Sequence, residues 1–257
     1  MLMKKYILST CLLMNLYGGA SMANVITVDM NNHAEESVVT GPDATSSTYQ
    51  GRVYTDSSDL ELTSDADYNG IEQLVGLLFD NVGIAAGSTI NSAFIAFTID
   101  NIANDTPAKQ AGHDATGDIT IQIEDSADAA AYQASDFNVS NRTTTVDSII
   151  WTSTPGLFVG EIINTADLTL LVDSMVNGGE WTGNNSMNFL FSSPGQNITR
   201  EVESAGTGAP RLNIDFTPVA TTVTEPSSIA ILTVSLAGLG FLRRRRTHQV
   251  YTQFTSR

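Results

Sequence analysis

Most of the chain alternates apolar and polar residues in short runs, separated by turns rich in Gly, Asn, Asp and Ser. In residues 119–124, isoleucine occupies every second position, with Thr, Gln and Glu between. A period of two is typical of a β-strand with one buried and one solvated face. Many short strands at this spacing indicate an all-β protein, and we expect a β-sandwich. The predicted strands cover residues 25–30, 51–55, 59–62, 73–79, 89–99, 119–124, 148–151, 187–192 and 211–216.

One segment follows the helical period instead. Apolar residues spaced i, i+3, i+4, i+7 and i+8 form a stripe, and Gly178-Gly179 follows it. Asn164 or Thr165 can cap this helix, and Asp167 suits the positive end of its dipole. We therefore predict one short α-helix across the open end of the sandwich, with the buried stripe at Leu168, Leu171, Val172, Met175 and Val176.

Residues 1–23 have the three parts of a signal peptide. Lys4 and Lys5 precede an apolar run, and the small residues of Ser21-Met22-Ala23 suit signal peptidase, so we expect cleavage after Ala23. About twelve apolar residues make only about 18 Å of helix, too short to remain as a membrane anchor. The single cysteine, Cys11, lies in this segment. The mature chain therefore contains no cysteine, which excludes disulfides and thiol catalysis.

The C-terminal region predicts a second, weaker membrane segment. An apolar run covers residues 229–242 and is followed by Arg243, Arg244, Arg245 and Arg246. Four adjacent arginines favour the cytoplasmic side, so the preceding chain faces the periplasm. The run makes only about 21 Å of helix, which is short for a permanent span. We expect a transmembrane helix that stops transfer but is only marginally held.

The order of these C-terminal parts resembles the PEP-CTERM sorting signal of Gram-negative bacteria. Its Pro-Glu-Pro motif corresponds here to Thr224, Glu225 and Pro226, followed by the apolar helix and the arginine cluster within residues 223–247. The resemblance implies that an exosortase, a membrane enzyme linked to exopolysaccharide export, recognises the tail. Thr224 departs from the motif, because proline would fix the backbone angle before the glutamate. An ordinary C-terminal anchor is the alternative.

The segment between the two ends is strongly acidic. Residues 24–224 contain 27 Asp and Glu but only five Lys and Arg, a net charge of −22. Such a field repels nucleic acid and anionic lipid, so neither is an expected partner. It attracts divalent cations, although acidity that serves solubility alone is an equal alternative.

The ectodomain covers residues 24–218, and a short linker at 219–224 joins it to the tail. Five motifs occur in it in this order: Ala34-Glu35-Glu36, Ser57-Ser58-Asp59-Leu60-Glu61-Leu62, Val75-Gly76-Leu77-Leu78-Phe79, Gly87-Ser88-Thr89-Ile90-Asn91-Ser92-Ala93-Phe94-Ile95 and Trp181-Thr182-Gly183-Asn184. Over about residues 33–216 the chain is thereby similar to a jelly-roll module of secreted bacterial proteins, the disaggregatase-type carbohydrate-binding modules. The resemblance implies a jelly-roll-like β-sandwich and a carbohydrate ligand. Residues 203–206 depart from the second acidic cluster of these modules.

Two groups of carboxylates are candidate calcium ligands. The loop at residues 65–70 matches the first half of a calcium loop, but Gly76 stands where the closing glutamate belongs, so we favour a solvated turn there. The better candidate combines two pairs of acids, because jelly rolls bring the first strand beside a later edge. We therefore expect Ca²⁺ as the bound cation, with carboxylates from Glu35, Glu36, Asp59 and Glu61.

Catalysis has little support in the sequence. We expect His33 and His113 to lie in polar loops, and neither a Gly-x-Ser-x-Gly elbow nor a His-x-x-x-His spacing occurs between residues 24 and 224. A glycosidase needs only two carboxylates, and nothing in the sequence marks a pair. Trp151 and Trp181 are candidate glycan-stacking residues, although tryptophans in such positions are more often core.

These features predict an exported, non-enzymatic protein of the cell surface or extracellular matrix. It crosses the inner membrane, is held there transiently, is sorted by an exosortase-like system and associates with exopolysaccharide. A carbohydrate-binding module with a defined glycan site is the first alternative, and a secreted polysaccharide hydrolase is the second.

Overall fold

A computed structural model of the chain describes residues 22–38, 49–65, 71–100, 115–196 and 198–220. The chain divides into two compact units, Met1–Val219 and Ala220–Arg257. All the elements below belong to the first unit. The signal peptide up to Ser21 and the apolar run at 229–242 lie outside the described residues.

The described part of the first unit is built from antiparallel β-strands and one short α-helix, which confirms the all-β prediction. In chain order the elements are β1 (Asn24–Asp29), β2 (Asn32–Val38), β3 (Val53–Tyr54), β4 (Asp59–Leu62), β5 (Ser64–Asp65), β6 (Ile71–Val82), β7 (Thr89–Thr98), β8 (Gly117–Ile123), β9 (Ile149–Ser153), β10 (Ile162–Asn164), α1 (Thr169–Val176), β11 (Asn185–Ser192), β12 (Arg200–Glu203) and β13 (Arg211–Thr217).

The strands form two sheets and a ribbon. One sheet has the order β1-β13-β7-β10 and the other β3-β2-β6-β11-β8-β9, with β5 paired to β6. The ribbon consists of β4 paired with β12. The Asp100 N–H, which follows β7, donates to the backbone O of Glu201 in β12. The first and last strands pair from Asn24 with Phe216 to Asp29 with Arg211, so the two ends of the sandwich domain meet in one sheet.

The main core fills the space between the two sheets. Phe97 of β7 stacks on Trp151 of β9 at 5.9 Å and meets Phe191 of β11 edge-on at 5.7 Å, so these rings link the sheets. Ile119, Ile121 and Ile123 of β8 are fully buried, as their alternation predicts. Offset and edge-on ring pairs add to the stabilisation from burial alone.

A long connection covers the outer face of the larger sheet. Residues 125–147, here called the strap, run between β8 and β9, and they carry a second apolar cluster over the outside of β2, β3 and β6. The sheet is therefore buried on both faces at β2, which is why β2 does not alternate in exposure. The cluster consists of Ala34, Val53, Leu78, Ala129, Tyr132 and Val139.

The helix confirms the predicted stripe but not its predicted cap. Leu171, Val172, Met175 and Val176 are buried, whereas the N-cap position is Leu168, with no side-chain cap bond. Thr165 does not cap the helix, because its hydroxyl accepts from the Ile95 N–H at 3.1 Å and so joins the end of β10 to β7. The Asp167 carboxyl accepts the Thr169 N–H at 2.9 Å and also accepts bonds from the Thr169 hydroxyl and the Ala93 N–H. Partial burial acts to raise its pKa, but the three hydrogen bonds together lower it.

Candidate functional site

The predicted carboxylates lie around β2. This strand lacks the period-two pattern, so the sequence does not reveal it. β2 reads Asn-His-Ala-Glu-Glu-Ser-Val and is poor in strand-forming residues, yet it pairs with β6 from Asn32–Leu78 to Val38–Glu72. Cross-strand partners project to the same face of a sheet. Glu35 lies opposite Val75 of the main core, whereas Glu36 lies opposite Leu74, which packs under the strap.

Glu35 opens onto a cavity of about 260 Å³ at one end of the sandwich, here called the acidic cavity. β4 supplies one wall, because its alternation turns Leu60 and Leu62 into the core and leaves Asp59 and Glu61 toward the cavity. The lining side chains used below are Glu35, Tyr54, Asp59, Glu61, Asp65 and Gln73, with Tyr49 and several serines completing it. The structure thus brings together three of the four predicted calcium ligands.

Glu35 is the most deeply buried of these carboxyls, with 3% of its surface exposed. Its Oε1 accepts from the Glu61 N–H at 2.8 Å. Burial raises its pKa well above the ordinary value of 4.5, and the nearby Glu61 carboxylate raises it further. A hydrogen bond from Ser57 acts against this rise without cancelling it. Glu35 therefore keeps its proton in the folded protein over a wider pH range than an exposed glutamate does.

Glu36 lies on the opposite face of β2 and does not reach the acidic cavity. Its Oε2 accepts from the backbone N–H groups of Val139 and Ser140, each at 2.8 Å. These two bonds tie the strap to β2, and the side chain is 1% exposed. The geometry gives Glu36 a structural role and separates it from the other three predicted ligands.

The β4–β12 ribbon concentrates further acids beside the cavity. Glu61 lies directly opposite Glu201, and Asp59 lies opposite Glu203. Partial burial raises the pKa of Glu203, and Asp100 and Asp59 add to that rise. Like charges at directly opposite positions destabilise a strand pair.

Reasoning from the sequence missed Gln73, and it placed Asp65 in a loop that we interpreted as a solvated turn, whereas Asp65 is buried and lines the cavity. Gln73 of β6 lies opposite Ser37, so it shares the face of Glu35, and Asp65 ends the short strand β5. Only Gln73 lacks a partner: 9% of it is exposed, and its Oε1 is buried with no hydrogen-bond partner among the described residues. Asp65 opens the predicted calcium loop, whose other residues, 66–70, lie outside the described residues. The signal that would have identified Gln73 is the register between β2 and β6, which the sequence does not contain.

Both candidate glycan-stacking tryptophans are buried. Trp151 is 8% exposed and stacks on Phe97, and Trp181 is 3% exposed. The Trp181 Nε1–H donates to Ile84 O at 2.8 Å. Their rings are used for packing, which leaves little surface for a sugar.

In the described part of the chain, no group of three or more His, Cys, Asp or Glu side chains has an arrangement that could hold a metal ion. His33 lies in β2 and not in the polar loop that we predicted. Burial of its side chain lowers its pKa, although Asp56 acts to raise it. His113 lies outside the described residues.

The predicted sorting residues cannot be placed in the same way. Thr224, Glu225, Pro226 and the four arginines at 243–246 lie outside the described residues, while Ala23 is exposed directly before β1. The helix found in the described segments is neither long nor apolar enough to cross a membrane.

The chain matches no model of a known protein family, and a search of curated proteins gives no match either. Function must therefore be inferred from the chain itself.

Proposed function

We propose that this chain is an exported, non-enzymatic protein of the cell surface or extracellular matrix that associates with exopolysaccharide. In this proposal residues 1–23 direct export, and residues 223–247 hold the chain at the inner membrane until an exosortase-like enzyme processes it. The ectodomain at 24–218 is a jelly-roll-like sandwich. The observation that supports the proposal is the acidic cavity, whose lining includes the carboxyls of Glu35, Asp59, Glu61 and Asp65.

The contact between Glu35 and Glu61 supports binding over hydrolysis. The two carboxyl groups interact directly, and Glu35 also accepts the Glu61 N–H. Glycosidases instead hold their two carboxyls about 5–9.5 Å apart, which leaves room for the sugar or for a water between them. The hydrolase is therefore the weakest of the three candidates.

Calcium remains a proposal from the sequence, with Glu35, Asp59 and Glu61 as its carboxylates. In the structure these three side chains line one cavity but are not arranged to hold a metal ion, so binding would require them to move together. Ca²⁺ prefers oxygen ligands, and Mg²⁺ demands a tighter octahedral shell. At calcium a hundredfold above Kd, binding to the folded form alone would add about 2.7 kcal/mol of stability. Melting the full chain in calcium and in magnesium at matched ionic strength separates specific binding from screening. Equal shifts in the two ions would rule calcium out.

The export proposal is tested by the intact mass of protein recovered from the culture medium. We expect a chain that begins at Asn24 and lacks residues 243–257. A mass that retains the arginines would contradict sorting by an exosortase-like enzyme. Co-sedimentation of this material with the exopolysaccharide of the same culture tests the association, and a glycan array distinguishes a matrix protein from a carbohydrate-binding module with one defined ligand.

A further inference from the structure

Exposed apolar side chains are concentrated at one turn of the sandwich. Eleven large apolar residues are exposed in the described part of the chain, and three of them lie within residues 158–162, here called the apolar turn. Phe158 is 66% exposed, Val159 53% and Ile162 68%. Single exposed apolar residues are common on protein surfaces, whereas groups of them mark sites of interaction.

Hydrogen bonds fix the backbone of the apolar turn. The Glu161 N–H donates to Phe158 O at 2.9 Å, and Gly160 has a φ of 81°, as the third position of a type II turn requires. Two further bonds join the turn to the end of β7, because the Ile99 N–H donates to Glu161 O and the Gly160 N–H donates to Ile99 O, each at 2.8 Å. An ordered turn presents the exposed side chains, so a partner that binds them has little backbone to order.

The strand that follows the apolar turn has an open edge. β10 is the last strand of its sheet, and in the described part of the chain only β7 pairs with it. Glu161 and Thr165, on either side of its centre, both direct backbone groups at β7. Since these groups alternate in direction along an antiparallel strand, the N–H and C=O of Ile162 and Asn164 point away from β7. They are available to pair with one more strand.

The charged groups nearest in the chain to the apolar turn are acidic. Glu161 belongs to the turn, and Asp100 directly follows the β7 residue to which the turn is bonded. Arg211 lies two strands from Asn164 on the same face, but its guanidinium is paired with Asp29 at 2.9 Å. A partner with Lys or Arg beside its apolar residues would complement these acids, whereas a second copy of the chain would bring like charges together.

We infer that the open edge of β10 and the apolar turn bind an extended segment of another protein, one that combines apolar side chains with Lys or Arg. The segment adds a strand to the sheet, and its backbone pairs with Ile162 and Asn164. Its apolar side chains cover those of the turn, and main-chain pairing supplies affinity while the side chains supply selectivity. This inference goes beyond the association with exopolysaccharide and does not depend on it.

Synthetic peptides of alternating sequence test the inference. The full chain is titrated at physiological salt with a labelled Lys-Val repeat, with the same repeat N-methylated at every backbone nitrogen, and with a Lys-Ser repeat of equal length. All three carry the same charge, but the second cannot donate from its backbone and the third has no apolar side chains. We expect the Lys-Val repeat to bind about tenfold more tightly than either of the others. Equal affinities would show only the general attraction of an acidic protein and would overturn the inference.

Hydrogen exchange locates the added strand. We expect the N–H groups of Ile162 and Asn164 to exchange more slowly with the Lys-Val repeat bound, because they become donors to it. Val25 and Thr27 are the internal control, since they lie in β1, the edge strand on the other side of the same sheet. Protection of β1 in place of β10 would contradict the assignment.

Matched variants separate this edge from other exposed apolar positions. Ile162→Thr removes apolar surface but keeps a β-branched residue that suits a strand, and we expect it to weaken binding about fivefold. Ile150→Thr is the control, because Ile150 is 53% exposed in β9, an edge strand of the larger sheet, and binding should be unchanged. Glu161→Gln can still accept the Phe158 N–H but loses the charge, so binding should weaken severalfold and depend less on salt.

Melting curves establish that each variant is folded. An equal loss of binding in Ile150→Thr, or no loss in Ile162→Thr, would contradict the site.

Two other occupants of the edge give distinct results. If the full chain forms dimers that Ile162→Thr disperses and does not bind the Lys-Val repeat, the edge belongs to a second copy. If neutral phosphatidylcholine vesicles bind the wild type more strongly than Phe158→Ser and the repeat does not bind, the turn contacts lipid. Either result would overturn the inference.

Discussion

Glu35 and Glu36 are neighbours in the chain, both almost fully buried, and yet they do different things. Glu36 accepts two backbone N–H groups from the strap, so its charge is met by hydrogen bonds that are fixed by the fold. Glu35 faces another carboxyl across the acidic cavity, and its pKa is raised by burial and by Glu61. The comparison shows that burial alone does not identify a functional carboxyl, because the partners on each side decide the role.

The same contrast extends to the two faces of the larger sheet. On the outer face, Arg142 of the strap donates to Glu124 at 2.6 Å and to Ala130 O at 2.8 Å, so the carboxylate is paired with a cation. On the inner face, Glu35 lies beside the Glu61 carboxyl, and the pKa of Glu35 is raised. Unpartnered polar atoms do not distinguish the two faces, because the Tyr132 hydroxyl on the outer face and the Gln73 Oε1 on the inner face both lack a partner among the described residues.

Glu36→Ala should give the largest loss of stability. The substitution leaves the N–H groups of Val139 and Ser140 buried without their acceptor, and hydrogen bonds to a charged group contribute about 1.5–3 kcal/mol each. We expect the free energy of unfolding to fall by about 3 kcal/mol, which for a domain of this size lowers Tm by about 6–12 °C. Urea and thermal unfolding measure both quantities.

The exposed Glu180→Ala is the control for Glu36→Ala and should change the free energy of unfolding by less than about 0.5 kcal/mol. Similar losses in the two variants would mean that Glu36 does not tie the strap to β2. The calcium-induced rise in Tm of Glu36→Ala should match that of the wild type, because Glu36 does not line the acidic cavity. A loss of that rise would break the distinction between the two faces.

Arg142→Ala should cause the next largest loss in the free energy of unfolding. The guanidinium pairs with Glu124, whose side chain is 15% exposed, and lies 4.0 Å from the Tyr132 ring centroid. Its removal leaves the Asn188 amide, at 2.6 Å, as the remaining described donor to Glu124 Oε2, and it frees one end of the strap. We expect a loss of about 2 kcal/mol, since this pair is partly rather than fully buried.

Arg142→Lys sharpens this measurement, because lysine keeps the charge but cannot form the same fork of hydrogen bonds to Glu124, Ala130 O and Ala131 O. An intermediate loss of stability is expected. If the lysine variant is as stable as the wild type, charge rather than geometry holds the strap.

The sequence was sufficient for strands that are buried on one face and insufficient for β2. Ile119, Ile121 and Ile123 alternate with polar residues, and β8 forms where that pattern predicts it. β2 has polar side chains buried on both faces, because the cavity lies on one side and the strap on the other. Period-two reasoning depends on a difference between the two faces, so it could not find this strand.

The candidate site could be predicted only in part for the same reason. Asp59 and Glu61 lie at alternate positions of a predicted strand, and both line the cavity. Glu35 and Glu36 are adjacent, and adjacent strand residues project to opposite faces, but that rule applies only once β2 is known to be a strand. Gln73 reaches the cavity through its register with Ser37, which no local pattern contains.

Glu35→Gln should have the smallest effect on the free energy of unfolding at pH 5, and its effect should grow as pH rises. In the folded protein Glu35 keeps its proton above the ordinary pKa of 4.5, so glutamine imitates the form that is present. Its amide oxygen can still accept the Glu61 N–H, and its NH₂ can donate to the Glu61 carboxylate. We expect a change in the free energy of unfolding of less than about 1 kcal/mol at pH 5.

The pH dependence of Glu35→Gln is the sharper test. Above pH 4.5 the unfolded wild-type chain releases the Glu35 proton while the folded protein holds it. The wild type therefore loses stability as pH rises, by at most about 1.4 kcal/mol per pH unit for one proton. Glu35→Gln removes that slope, and the difference between the two unfolding free energies isolates it, because the titrations of His33 and Glu203 are common to both proteins. Urea unfolding from pH 4.5 to pH 8 measures the difference, which should move steadily in favour of the variant. A difference that stays flat with pH would show that Glu35 is ionised in the folded protein, and Glu35 and Glu36 would then be two carboxylates held in equivalent ways.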